Sequence, residues 1–231
     1  MSELLGTCAD VLRAEGAELT GGHSTFGADM TFGLTLTGLC ADPPLTLAGA
    51  RPGDALLLTR PIGSGTLLAA EMQLKARGRD VAAALSIMGL SQAAPARALV
   101  RAGATAMTDV TGFGLAGHLM NLCDASGVGA DLSLDAVPLY AGAEALAAAG
   151  LRSTLWPENH AALVGRIHGL PDGGMKSPRA ALLFDPQTAG GLLAAVPQAH
   201  ADRTRAALVE GGHHAARIGV VTEHAGAIRV V

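Results

Sequence analysis

The stretch MTDVTGFGLAGH, residues 107–118, carries the strongest structural signal in the chain. Its first residues predict a short strand that ends near Val110, and the leucines that follow predict an amphipathic helix over residues 115–126. The glycines between them allow a tight turn and a close approach of the backbone to a ligand. A strand, a glycine-rich turn and a helix are therefore expected to meet here, with Asp109 at the end of the strand.

This turn has two chemical interpretations and one purely structural one. Gly112, Gly114 and Gly117 fit the GxGxxG pattern of dinucleotide sites, but the strand does not open a βαβ half, which disfavours that interpretation. Asp109 offers hard carboxylate oxygens of the kind that bind Mg²⁺, and the glycines would let a phosphate reach backbone N–H groups. The structural alternative is that Asp109 only caps the following helix.

The composition excludes several classes of protein. With 231 residues, 49% of them hydrophobic, and a formal net charge of -4, the chain is expected to form a packed core. An acidic balance and 3% aromatic residues disfavour nucleic acid as a partner. Because no long apolar run and no basic leader is present, we expect no membrane association and a cytoplasmic location. Three cysteines without CxxC spacing indicate neither a disulfide framework nor a zinc ribbon.

Hydrophobic periodicity outside this stretch predicts helices and strands that intermix without a regular βα repeat, which favours an α+β fold. The predicted helices cover residues 2–16, 66–76, 80–101, 115–126, 140–149 and 198–211. The predicted strands cover residues 30–40, 55–59, 128–134, 180–184, 192–196, 217–221 and 227–231, besides the one before Val110. Residues 151–178 are predicted to be irregular.

Two further loops combine glycines with polar side chains. In the first, the pair Gly21 and Gly22 allows close backbone approach, and His23 either contacts a phosphate or caps a strand. The second, DPQTAGG at residues 185–191, joins two predicted strands. Its Asp-Pro and Gly-Gly pairs favour a turn over a binding loop. None of the eight histidines has the paired spacing of a zinc site.

Taken together and in this order, GGHS at residues 21–24, MTDVTGFGLAGH at 107–118 and LLFDPQTAGGLL at 182–193 resemble the motifs of the selenophosphate synthetase family, also called selenide, water dikinase. The resemblance covers nearly the whole chain. It implies ATP-dependent phosphorylation of selenide to selenophosphate, with release of AMP and orthophosphate. It also implies an aminoimidazole ribonucleotide synthetase C-terminal-like domain, a mixed sheet with helices packed on it, over residues 49–231. A remnant of the N-terminal ATP-binding and dimerisation domain is expected at residues 1–48.

The resemblance assigns site residues by position. Asp109 matches the family's magnesium-binding aspartate, whereas Gly21, Gly22 and His23 match a triplet that contacts ATP across a dimer interface. The expected ligands are therefore ATP as substrate and Mg²⁺, and the expected partner is a second copy of the chain. No catalytic residue is assigned, because the family's glycine-rich segment with its reactive Cys or selenocysteine and Lys has no match. Cys8 lacks that context and is interpreted as a core residue of the first helix.

We therefore expect a portion of a selenophosphate synthetase that is inactive by itself, since one aspartate cannot hold a Mg²⁺–ATP complex tightly. An alternative is a non-catalytic homologue that acts as a dimerisation or regulatory binding module. A third possibility, another member of the superfamily with a different acid or amide substrate, is disfavoured by the two long motifs. A strand at residues 30–40 would lack sheet neighbours, which also indicates a homodimer.

Overall fold

The computed structural model describes residues 2–40, 43–170, 174 and 176–231. The chain divides into two compact units, Met1–Pro44 and Leu45–Val231. The assignment of residues 1–48 and 49–231 to two domains of the resembling family stays a prediction. The two units are described separately.

The first unit contains helix α1, Ser2–Ala14, in agreement with the helix expected from the spacing of its apolar residues. No residue of α1 is buried, and Cys8 is half-buried, so its interpretation as a core residue is wrong. The strand predicted over residues 30–40 is also wrong, because none of its described residues belongs to a strand. The alternation of apolar residues gives that segment the pattern of a strand, but a strand also needs a neighbour for its backbone groups.

The second unit is built on one sheet. Its strands are β1 Ala55–Leu58, β2 Ala106–Asp109, β3 Gly129–Leu132, β4 Ile167–His168, β5 Leu192–Val196, β6 Ala216–Thr222 and β7 Ile228–Val230. They form a seven-stranded sheet in the order β2-β5-β1-β6-β3-β7-β4. Strand β1 is antiparallel to β5 and β6, whereas β7 is parallel to β3 and β4. The sheet is therefore mixed, which confirms the predicted α+β class.

Helices pack on both faces of this sheet. They are α2 Ser64–Met72, α3 Gly78–Met88, α4 Ala93–Arg101, α5 Gly114–Ser126, α6 Ala143–Ala148, α7 Trp156–Leu163, α8 Pro178–Ala181 and α9 Gln198–Glu210. Single 3₁₀ turns form at Leu134–Ala136 and Leu182–Phe184. No helix among the described residues is both long and apolar enough to cross a membrane.

Three sequence predictions in the second unit are wrong. The helix predicted over residues 80–101 is two helices, α3 and α4, with Gly89 at the end of α3 and Pro95 in the first turn of α4, where a missing N–H is tolerated. The predicted strand at residues 180–184 is helical instead, and Ser177 caps it by accepting the Ala180 N–H at 3.2 Å. The region predicted to be irregular, 151–178, contains α7 and β4.

Strand β1 is buried on both sides of the sheet. Leu56 and Leu58 belong to the main hydrophobic core, which includes most of the buried face of α5. Ala55 and Leu57 point to the opposite side and join a smaller core with residues of α4 and α9. A continuous apolar run of this kind is typical of a strand that is covered on both faces. Strand β5 pairs with β1 between these two cores. The loop that precedes β5 is therefore held in a fixed position.

Gly114, the first residue of α5, provides a test of how tightly this region is packed. Its φ is +70°, and an added Cβ would lie 2.8 Å from the Phe184 carbonyl carbon and 2.9 Å from the Leu183 carbonyl oxygen. We expect Gly114→Ala to lower the free energy of unfolding by about 3 kcal/mol, through backbone strain and steric overlap. Gly112→Ala is the control, because a Cβ at Gly112 meets nothing within 4 Å. Equal losses in urea denaturation of the two variants would contradict this packing.

Candidate functional site

Two glycine-rich loops that are distant in sequence pack against each other in the second unit. These are the turn of residues 109–114, between β2 and α5, and the loop of residues 185–191, before β5. The Val110 N–H donates to the Gly191 carbonyl oxygen at 2.8 Å, and the Gln187 N–H donates to the Thr111 carbonyl oxygen at 2.9 Å. At Gly190 a Cβ would overlap the Val110 carbonyl oxygen. The two motifs therefore form one substructure, called here the paired loops.

The loop of residues 185–191 points its polar side chains inward. Gln187 Oε1 accepts hydrogen bonds from the Gly63 N–H at 3.0 Å and from the Ser64 N–H and Oγ at 3.2 and 3.0 Å. These are donors at the start of α2 that have no partner within the helix itself. Asp185 accepts the Thr66 hydroxyl at 2.7 Å in the same first turn. The loop thus caps α2 from a distance, which supports the turn interpretation of its sequence.

Asp185 is fully buried, and burial raises the pKa of its carboxyl group to about 6. Hydrogen bonds from the Thr66 hydroxyl and backbone, from Gln187 and from the Gly65 backbone oppose this shift, because they stabilise the charged form. Because these donors belong to the first turn of α2 and to the loop itself, the Asp185 side chain holds α2 and the loop together.

Asp109 has the opposite environment. It is the last residue of β2, which lies at one edge of the sheet and pairs there with Leu192 of β5. Its side chain is exposed and makes no hydrogen bond or ion pair with another described residue. The alternative that it caps α5 is wrong, since the cap position is Phe113 and no side chain caps that helix. Asp109 therefore presents carboxylate oxygens that are available to a cation.

Asp109 is the only metal-ligand candidate that the paired loops expose. No group of three or more His, Cys, Asp or Glu side chains that could hold a metal ion occurs among the described residues. A hard, exposed carboxylate fits one position in the oxygen shell of Mg²⁺, whose remaining positions are commonly filled by phosphate oxygens and water.

Two side chains that the sequence analysis did not single out hold the turn of residues 109–114. His118 of α5 is 7% exposed, and its Nε2 accepts the Thr111 N–H at 2.9 Å. Burial lowers the pKa of His118, and the charge of Asp109 opposes that shift. Asn159 of α7 donates through Nδ2 to the Gly112 carbonyl oxygen at 2.8 Å and to the Phe184 carbonyl oxygen at 3.0 Å. A signal existed for His118, because it lies on the apolar face of the predicted helix.

Arg60 lies two residues after the end of β1 and holds the loop of residues 185–191. It is 4% exposed and donates to the Ala189 carbonyl oxygen at 2.5 Å and to the Leu90 carbonyl oxygen. Burial lowers the pKa of its guanidinium group, and the nearby Tyr140 side chain opposes that shift. Arg60 was not recognised from the sequence, since its partners are backbone atoms that no motif records.

The predicted ATP contacts Gly21, Gly22 and His23 belong to the first unit. All three are exposed, and no helix or strand includes them. Within that unit they line an open cavity together with Leu4 and Leu5 of α1. The structure brings the Asp109 and DPQTAGG motifs together in the second unit, and the role of the Gly21–His23 triplet stays a prediction.

Comparison with known proteins points to one family. Residues 51–231 match the family described as AIR synthase related protein, C-terminal domain. The selenide, water dikinase of Trichlorobacter lovleyi is 37% identical over 227 residues, which are 97% of this chain and 64% of that protein. Selenide, water dikinase 2 of Peptoclostridium acidaminophilum is 35% identical over 228 residues, 94% of this chain and 62% of that protein. The chain thus spans less than two thirds of the length of these relatives.

Solved structures share the architecture. E. coli HypE, a hydrogenase maturation protein, gives a TM-score of 0.53 with 21% identity over 81% of this chain and 48% of its own. AaThiL complexed with AMPPCP and TMP gives a TM-score of 0.50 with 17% identity over 80% of this chain and 50% of its own. At these identities the likeness shows the fold alone. It agrees with the expected domain, a mixed sheet with helices packed on it.

The raised pKa of Asp185 predicts a specific pH dependence of stability. The folded state binds this proton more tightly than the unfolded state does, because the pKa rises from 3.8 to about 6. The contribution of Asp185 to stability is therefore complete below pH 4 and is lost as the pH rises to about 6. We expect the free energy of unfolding of the wild type, minus that of Asp185→Asn, to fall by about 3 kcal/mol over this interval. Urea denaturation at several pH values measures it, and a constant difference would refute the shift.

Proposed function

We propose that this chain, which belongs to the AIR synthase related protein family through its C-terminal domain, is the part of a selenide, water dikinase that contributes Asp109 to a Mg²⁺–ATP site. The observation that carries the proposal is the exposed Asp109 carboxylate at the end of β2. The paired loops hold it, and they lie within the two long motifs by which the sequence resembles the selenophosphate synthetases.

The environment of Asp109 suits a metal-bound phosphate. Gly112, three residues on, has open space where a Cβ would be, so a phosphate group can approach the backbone there. When bound, Mg²⁺ would neutralise charge on the nucleotide phosphates during phosphoryl transfer, a reaction that depends mainly on positioning and charge stabilisation. The residues of this chain would supply one ligand for the ion through Asp109 and a rigid support for that ligand through the paired loops.

The substrates proposed for the whole reaction are ATP, selenide and water, and the products are selenophosphate, AMP and phosphate. The names of the relatives support the reaction class, and the Gly21–His23 triplet is proposed as an ATP contact. We assign no catalytic residue within the chain. Because Asp109 is a single carboxylate, further ligands must come from ATP, from water and from other carboxylates, so these residues alone are expected not to form selenophosphate. We place the protein in the cytoplasm, where Cys8, Cys40 and Cys123 would stay as thiols.

The experiment that tests this proposal is titration of the chain with preformed Mn²⁺–ATP, in which binding to the protein is followed by the enhancement of water proton relaxation. Asp109→Asn removes one anionic ligand and is expected to weaken Mn²⁺ binding roughly tenfold. The control is Asp135→Asn, because the Asp135 side chain is fully exposed and lies elsewhere on the second unit.

Equal Mn²⁺ affinities for wild type, Asp109→Asn and Asp135→Asn would contradict the metal role of Asp109. A parallel assay of selenide-dependent AMP formation should show no turnover by the chain alone. Robust turnover without any added polypeptide would overturn the proposal that this chain is inactive by itself.

A second candidate function is a non-catalytic dimerisation or regulatory module, and one observation favours it. The first unit exposes large apolar side chains at Phe26, Met30, Leu36 and Leu39. Exposed apolar residues at such density are typical of a surface that another protein covers. A chain that dimerised but bound no Mn²⁺–ATP would fit this function better than the first.

Both candidate functions include a homodimer, which sedimentation velocity tests. We expect wild type to sediment as a dimer, and Leu36→Asp to weaken dimerisation by roughly tenfold or more, because it places a charge in the apolar interface. Leu74→Asp is the matched control, since Leu74 is 92% exposed and belongs to the second unit. A wild type that remains monomeric at high concentration would exclude the homodimer.

A further inference from the structure

We propose that His118 is a positioning residue for Asp109, acting as the hydrogen-bond acceptor that fixes the backbone of the turn between them. The inference rests on the proposed function only for its consequence, the affinity for a metal ion. The hydrogen bond itself is a property of the fold, so the two can be tested separately.

The backbone that follows Asp109 is held at two successive peptide groups. The Val110 N–H is bound by the Gly191 carbonyl oxygen at 2.8 Å, and the Thr111 N–H is bound by His118 Nε2 at 2.9 Å. Because each peptide group is planar, fixing its N–H also fixes the carbonyl that precedes it. Together with the pairing of Asp109 with Leu192 in the sheet, these two hydrogen bonds fix the backbone from which the Asp109 side chain extends. Of the two acceptors, only His118 Nε2 belongs to a side chain.

The other polar groups of the turn do not replace His118. The Thr111 carbonyl oxygen accepts two hydrogen bonds, from the Gly114 N–H at 3.0 Å and the Gln187 N–H at 2.9 Å. The Thr111 N–H, in contrast, has His118 as its partner among the described residues. Loss of the acceptor at 118 would leave this donor without a partner and release the Val110–Thr111 peptide group, the second one after Asp109.

The geometry also specifies the form of the imidazole ring. Since Nε2 accepts an N–H, it carries no proton, and the hydrogen of the neutral ring is on Nδ1. The ring of His118 is buried and packs against Phe113, with ring centroids 5.6 Å apart. A polar ring on an apolar helix face is costly to bury unless it makes such a hydrogen bond. Leucine would fill this place with less desolvation, so the acceptor accounts for the histidine.

Two substitutions separate the acceptor from the packing. His118→Gln retains an acceptor, because the glutamine Oε1 reaches about as far from the backbone as the histidine Nε2. His118→Leu keeps a side chain of similar bulk and removes the acceptor. The control on the same helix is Cys123→Ala, which removes a buried thiol near the other end of α5.

The first measurement is NMR spectroscopy of the full chain without metal. Wild type should show the nitrogen shifts of an imidazole with unprotonated Nε2, and a Thr111 amide that is protected from hydrogen exchange. This protection should persist in His118→Gln and Cys123→Ala and fall roughly tenfold in His118→Leu. A protonated Nε2 in wild type, or equal Thr111 protection in all variants, would overturn the inference.

The second measurement is the Mn²⁺ titration with ATP, in which wild type and Asp109→Asn report on the proposed function. We expect His118→Leu to weaken Mn²⁺ binding roughly tenfold, as loss of an outer-shell partner commonly does. His118→Gln should restore affinity to within about threefold of wild type, and Cys123→Ala should match wild type. If Asp109→Asn binds like wild type, the proposed function fails, whereas the NMR result still decides the hydrogen bond.

The positioning role is overturned if His118→Leu binds Mn²⁺ as tightly as wild type, or if His118→Gln binds as weakly as His118→Leu. If His118→Leu fails to fold, His118→Gln is compared with wild type alone. An affinity for Mn²⁺ close to that of wild type, together with a protected Thr111 amide, then supports the acceptor role. A folded His118→Gln that has lost both would contradict it.

Discussion

The second unit depends on the direct contact between two backbones, at Gly190 and Val110. There is no room for a side chain at Gly190, because a Cβ would overlap the Val110 carbonyl oxygen. The contact allows the Val110–Gly191 and Gln187–Thr111 hydrogen bonds, so one glycine-rich loop is registered on the other. One loop follows β2 and the other precedes β5 of the same sheet, and α2 and α5 begin beside them. A shift in this contact would therefore move the helix starts and Asp109 together.

The same pair of loops gives two aspartates opposite roles. Asp185 is buried, accepts hydrogen bonds from the first turn of α2 and has a raised pKa, so it works as a structural cap. Asp109 is exposed and makes no such contacts with the described residues. Around them, His118 binds a backbone atom of one loop and Arg60 a backbone atom of the other. The polar side chains of this region therefore hold the loops in place and leave the Asp109 carboxylate to meet a ligand.

The parts of this arrangement that depend on local sequence could be predicted. The strand ending at Asp109, the glycine turn and α5 follow from periodicity over a few residues. Residues 180–184 could not be assigned in this way, because a short, fully buried apolar run fits a helix as well as a strand. The segment at 30–40 has a strand pattern, but strand formation depends on a distant partner. The role of His118 depends on a contact with a backbone N–H, which no residue pattern encodes.

We propose that the paired loops form one rigid site for a metal-bound nucleotide at Asp109. Paramagnetic broadening of amide NMR signals by Mn²⁺ with ATP tests it most directly, since broadening falls steeply with distance from the ion. We expect residues 108–112 and 188–191 to broaden together at the lowest Mn²⁺ concentrations, and Asp109→Asn to reduce this broadening strongly in both loops. Broadening confined to one loop, or unchanged in Asp109→Asn, would contradict a shared site at Asp109.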